Sequence, residues 1–170
     1  MGSNFSTIGG GTTNTLSNGS SSSLIAGGEQ NWLFASDFAT IGGGTYNAIK
    51  NTSNASTIGG GQANITYLTA FAGIGGGFTN LITSTGIAGT NQDVAYSRIG
   101  GGHSNIIQGY KAIDQEDASY TTIGGGHLNR ISGASSYRAS WSTVGGGQDN
   151  VVSKHPYSTI GGGKANAFVI

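Results

Sequence analysis

Apolar residues enter this chain one at a time, set among glycine, serine, threonine and asparagine. One column is Ile8, Ile25, Ile41, Ile58, Ile74, Ile87, Ile99, Ile123, Val144 and Ile160. The steps between its members are 17, 16, 17, 16, 13, 12, 24, 21 and 16. A second apolar column is Leu16, Leu33, Ile49, Ile82, Ala95, Ile107, Ile131, Val152 and Phe168, with Thr66 as its polar exception. The spacing is far from the 3.6-residue helical period, and it is shorter than the ~30-residue units of helical solenoids. Gly, Ser, Thr and Asn also disfavour helix. Short β-prone pieces, such as Tyr120-Thr121-Thr122-Ile123 and Asn105-Ile106-Ile107, stand between Gly and Asn turn signals. The pattern predicts two short strands and two turns per repeat. Alternation puts Ile58 and Ser56 on the inner face, with Thr57 and Ala55 outside. One apolar column from each strand then makes a thin core.

Polar positions keep the same register. Two residues after the isoleucine stand Gly10, Gly27, Gly43, Gly60, Gly76, Gly89, Gly101, Gly125, Gly146 and Gly162. Six residues after it stand Asn14, Asn31, Asn47, Asn64, Asn80, Asn105, Asn129, Asn150 and Asn166, with Asp93 in the remaining copy. The copies at Ile25 and Ile87 hold to both columns and so count as repeats. Of 33 glycines, 27 fill the three slots after the isoleucine, which makes glycine positional rather than filler. Runs of three suggest a corner with positive φ and close backbone approach, with the Gly60 column obligatory. Asparagine tolerates the left-handed conformation and suits the turn. Stacked asparagines would form an amide ladder. About ten rungs at ~4.8 Å give a rod of about 48 Å.

Three residues before the isoleucine lies an aromatic column: Phe5, Phe38, Phe71, Tyr96, Tyr120, Trp141 and Tyr157. One residue before it lies a threonine column, Thr7, Thr40, Thr57, Thr122, Thr143 and Thr159, interrupted by Leu24, Gly73, Gly86 and Arg98. The unit Ser-Thr-Ile-Gly-Gly-Gly-x-x-Asn with its leading aromatic resembles the YadA-like head repeats of trimeric autotransporter adhesins. Closely similar repeats occur in phage tail-fibre proteins. The resemblance spans nearly the whole chain. It implies a left-handed parallel β-roll, three rolls packed side by side as a homotrimer, and a surface-exposed fibrous attachment role. The steps from 74 to 99 and from 99 to 144 depart from the family's regular rung.

The expected fold is therefore an all-β parallel solenoid, one repeat domain over 1–170. Rungs are regular over 1–84 and 139–170 and carry loops over 85–138. The short lead Met1-Gly2-Ser3 and the final copy near Ile170 suggest a piece of a longer fibre. A single roll buries little and ends in open edges. Seven outward aromatics also want a cover. Both points favour self-association, side by side or end to end.

Composition narrows the function. Only 8% of residues are charged and the net charge is zero, so no basic stripe for nucleic acid is present. Cysteine is absent, which excludes disulfides and thiolate metal sites. No apolar run reaches the ~18 residues of a membrane span. There is one proline and no Gly-X-Y period, which excludes collagen.

Candidate chemistry is sparse. The aromatic column is either a glycan-stacking strip or, the preferred reading, a packed ladder or interface. The threonine column is a candidate ice-binding face, and Ser22–Gly27 resembles a fragment of bacterial ice-nucleation repeats. Its interruptions favour an ordinary solvent face. His103 and His127 share one slot in consecutive rungs, about 5 Å apart if stacked. They are weak metal candidates, because Thr12, Thr45, Gln62, Phe78, Gln148 and Lys164 fill the same slot elsewhere. Asp114, Glu116 and Asp117 form an acidic cluster in the 24-residue step, a weak calcium candidate with no EF-hand spacing. Gly161-Gly162-Gly163-Lys164 lacks the leading glycine and following hydroxyl of a phosphate loop. Sequons at Asn4, Asn18, Asn51, Asn54 and Asn64 carry little weight in so Asn-rich a chain.

No catalytic set or cofactor is expected. The leading expectation is an extracellular attachment module on a bacterial cell or virion surface, contacting a host protein or glycan multivalently. Its determinants are expected in the irregular stretches, Gly86 to Tyr96 and Gln108 to Tyr120. A ligand-free filament is the alternative, and ice binding the third.

Overall fold

The structure, a computed structural model, describes residues 4–85, 94–110, 118–134 and 138–169. Over these residues the chain winds as a parallel β-solenoid of nine coils. Each coil contributes one strand to each of two nine-stranded parallel sheets. The first sheet runs from Thr7–Ile8 to Thr159–Ile160 in two-residue strands. The second runs from Thr15–Ser17 to Ala167–Val169 in strands of three or four residues.

Strand pairing corrects the count of ten. Ile74 pairs directly with Ile99, and Ile82 with Ile107, so the copy at Ile87 adds no coil between them. Ile87, Gly89 and Asp93 lie outside the described residues. The two short steps around Ile87 are one long step of 25 residues, next to steps of 24 and 21. A pattern of Ile, Gly and Asp at the right offsets was insufficient, because a coil also needs its second strand to pair. Ala95, expected in the second apolar column, instead sits buried at the turn before Arg98–Ile99.

The core is the pair of columns facing each other. Ile25, Ile41, Ile58, Ile74, Ile99, Ile123 and Val144 meet Leu33, Ile49, Ile82, Ile107, Ile131 and Val152, all essentially inaccessible. Each such side chain contributes about 1.5–3 kcal/mol by leaving water. Thr66 takes a core place between Ile49 and Ile82. Its hydroxyl is buried with no hydrogen-bond partner. Ser56 is buried beside Ile58 as alternation requires. Its Oγ accepts from Ala72 N–H at 3.2 Å, one coil on, and donates to the Thr69 carbonyl at 3.4 Å.

Corners are made by residues in the left-handed region. Among the described residues, twenty-four non-glycine residues have φ between 48° and 61°. Nine of them are the residue before the column asparagine, from Thr13 to Ala165. Nine more are the residue at the aromatic slot, from Phe5 to Tyr157. This revises two expectations. The asparagine does not take the left-handed turn, because its neighbour does. The aromatic is a corner residue, not an extended strand residue. Each left-handed L-residue costs about 1–2 kcal/mol, so the corners need compensation.

The asparagine ladder supplies it. Asn64 N–H and Nδ2–H donate to Asn47 Oδ1 at 3.0 and 3.1 Å. The same Nδ2 donates to the Gly60 carbonyl at 2.9 Å and the Gly77 carbonyl at 3.0 Å. Asn64 Oδ1 in turn accepts from Asn80. The pattern runs from Asn14 to Asn166. Asn31, Asn47, Asn64, Asn80, Asn105, Asn129 and Asn150 are fully buried within it. Buried amides so satisfied stabilise, whereas any broken link leaves several polar groups unpaired.

The tight glycine packing lies on either side of Gly60, and a Cβ on Gly59 would clash with the Gly75 carbonyl oxygen. Gly61 has φ +84°, and a Cβ there would sit inside the Gly77 carbonyl and 2.8 Å from Asn64 Nδ2. At Gly60 a Cβ would meet nothing within 4 Å, and its φ is outside the left-handed region. In all nine coils both columns are glycine, the Gly61 column because coil packing closes its side-chain space and most of the Gly60 column with φ of 151–159° in open space, as at Gly43 and Gly146. Gly60 and its equivalents form an open strip on the outside.

Candidate functional surface

The aromatic column runs along one edge of the rod and divides in two. From Phe71 onward it is continuous. Phe71 stacks on Tyr96 at 4.7 Å, Tyr96 on Tyr120 at 5.0 Å, Tyr120 on Trp141 at 5.7 Å and Trp141 on Tyr157 at 5.1 Å. Interplanar angles are only 2–9°. Parallel strands in register put the slots one strand spacing apart, close to ring-stacking distance. Each interior ring is therefore covered on both faces by its neighbours. Sugar rings stack on aromatic faces, so the interior of this ladder is not the glycan strip considered from sequence. It presents ring edges and hydroxyls.

Toward the N-terminus the column is interrupted. The order is Phe5, Ser22, Phe38, Ala55, Phe71, one residue per coil. Phe5 is 94% exposed and Phe38 68%, against 41–49% for the rings from Phe71 to Trp141.

The three long steps share one corner. The Ser84 and Gly109 backbones pair at the end of the second-sheet strands, and Gly133 N–H donates to the Gln108 carbonyl at 3.0 Å. The described chain resumes at Val94, Ala118 and Arg138; Val94, Ala118 and Ala139 are fully buried. The three insertions thus leave and re-enter the rod at equivalent places on consecutive coils. Each re-entry shortly precedes an interior ladder ring, Tyr96, Tyr120 or Trp141, which ties the coil edge down beside it. Most of the expected determinant stretches, and Asp114, Glu116 and Asp117 with them, lie outside the described residues.

His103 and His127 do stack, with centroids 4.9 Å apart, and Phe78 packs at 5.1 Å on His103. Among the described residues no third ligand joins the two histidines, and no group of three metal-ligating side chains exists. The threonine column is one residue wide and broken by Leu24, Gly73 and Arg98. Gly86 lies outside the described residues. Gln62, Gln148 and Lys164 occupy the histidine slot as an outer third line of parallel bridges. Sequence reasoning missed the second-sheet surface cluster, where Trp32 meets Phe34 edge-on at 5.5 Å and Lys50 Nζ lies 4.4 Å over the Trp32 ring. Its signal was the shared slot of Phe34 and Lys50 one coil apart, legible only once the register is known.

Among the described residues no helix is long and apolar enough to cross a membrane. No protein-family model matches the chain, and a search of curated proteins finds no match, so the likeness to adhesin-head and tail-fibre repeats rests on the repeat unit itself.

Proposed function

We propose that this chain is an attachment module of a surface fibre, of the adhesin-head or tail-fibre kind, working extracellularly as a homotrimer. The observation that carries the reading is the corner shared by three insertions on consecutive coils. A stiff, regular scaffold that concentrates its irregular segments in one place is how proteins commonly present binding loops. Repetition across three subunits would multiply weak contacts into avidity. The open glycine strip supplies a surface against which neighbouring rolls would pack, leaving the aromatic edge outward.

The test removes the insertions and keeps the rod. A chain lacking 86–93, 111–117 and 135–137 should retain its β-sheet circular dichroism and lose binding of labelled protein to panels of bacterial and mammalian cells. Undiminished binding would sink the reading. Light scattering tests the trimer, since a monomer contradicts it. A ligand-free filament is the second reading. It is favoured by the coil-to-coil pattern, in which each coil both donates to and accepts from the next, so that the first and last coils are complementary. Open-ended polymers with no cell binding would select it.

A further inference from the structure

We infer that the two gaps in the aromatic column, at Ser22 and Ala55, are sandwich sites for single pyranose rings of a glycan. This site is separate from the insertion corner, and its test is independent of the attachment reading.

The column shows what its slots hold when filled: from Phe71 to Tyr157, one flat ring per coil at 4.7–5.7 Å. At Ser22 and Ala55 the slot holds a side chain too small to fill it, while rings stand one coil away on either side. Phe5 and Phe38 flank Ser22; Phe38 and Phe71 flank Ala55. The flanking positions are then two strand spacings apart, about 9.6 Å. That leaves room for one ring stacked between two aromatics. The corner backbone is the same in both kinds of coil, since φ is +53° at Ser22, Ala55 and Phe71 alike. The gaps are therefore differences of side chain, not of fold.

The edge of the gaps points to sugar rather than to another aromatic. One residue before the rings, the continuous ladder carries Ala70, Ala95, Ser119, Ser140 and Pro156. Across the gaps the same line carries Asn4, Ser21, Asp37 and Asn54. Asp37 Oδ1 accepts from Ser21 N–H at 2.7 Å, and Asn54 Oδ1 accepts from Asp37 N–H at 2.9 Å. The second Asp37 oxygen and the Asn54 Nδ2 have no hydrogen-bond partner among the described residues. An acceptor and a donor beside an apolar sandwich suit a ring with apolar faces and hydroxyls around its rim.

The experiment fills the gaps. Wild type and the double variant Ser22→Tyr/Ala55→Tyr are compared on a printed array of β-linked glucose, galactose and N-acetylglucosamine hexasaccharides, with affinities measured on the best-bound probe. The filled variant should keep its fold, with a raised melting temperature as the ladder becomes continuous, and lose affinity by at least about tenfold. Phe38→Ala, which removes the ring common to both gaps, should lose it too. Tyr120→Ala, inside the continuous ladder, should keep it. Equal affinity in the filled variant overturns the proposal, as does failure of wild type to bind any of the three probes. A change in oligomeric state on filling, with no sugar bound by wild type, would assign the gaps to another copy of the chain and equally overturn it. Loss of sugar binding with cell binding intact leaves the insertion corner as a separate attachment site.

Discussion

At the scale of single residues, this rod is held by one amide per coil. Asn64 illustrates why no near-equivalent serves. It bonds two carbonyls in different coils and the asparagines on both sides. The asparagine column and its ladder were legible from recurrence alone. Its conformation was not, because an asparagine that recurs after glycine looks the same whether it takes the left-handed turn or its neighbour does. Thr66 is the residue-level flaw. It breaks the second apolar column and buries a hydroxyl without a partner. Thr66→Val should therefore raise stability by about 1 kcal/mol, read as a higher melting temperature or denaturant midpoint. An unchanged or lowered midpoint would mean that the hydroxyl is satisfied in solution.

The coil is the next scale, and there two adjacent glycines, alike in the sequence, differ in how closely the next coil packs on them. Gly61→Ala places a methyl against the next coil's carbonyl in a left-handed backbone and should destabilise by several kcal/mol. Gly60→Ala meets open space and should cost under about 1 kcal/mol in the isolated roll. Parallel denaturation of the two variants checks this. If Gly60→Ala instead lowers the oligomeric state measured by light scattering, contact between rolls constrains this position in addition to the φ of 151–159° at equivalents such as Gly43 and Gly146. The aromatic corner makes the same point. The sequence shows seven rings in one slot, but whether they offer faces or edges depends on strand spacing. Stacking at 4.7–5.7 Å removes the faces wherever rings are consecutive.

For the whole molecule, stability should be close to a sum over neighbouring coils, as in other solenoids. The core side chain of an inner coil has partners on both sides, and that of the first coil has one. Ile123 is fully buried, whereas Ile8 is 43% exposed. Ile123→Ala should cost about 2–5 kcal/mol and Ile8→Ala roughly 1 kcal/mol or less. Thermal unfolding of both variants tests the difference. Hydrogen exchange should show the same gradient, with protection greatest in the middle coils. Equal costs would indicate that the first coil is covered by another chain.

The sequence by itself determined the solenoid: the repeat unit, the two facing apolar columns, the buried serine beside the isoleucine and the asparagine line. These follow from local rules, because each coil repeats the same side-chain alternation and the same turn chemistry. Tertiary structure decided whatever depends on which coils are neighbours. It reduced ten copies to nine coils, moved Ala95 out of the core column, placed the tight glycine packing at Gly59 and Gly61 on either side of Gly60 and divided the aromatics into a closed ladder and two open gaps. The physical reason is common to all four. They are set by contacts about 4.8 Å apart in space between residues separated by 16 to 25 positions in the chain, and only the stack brings those residues together.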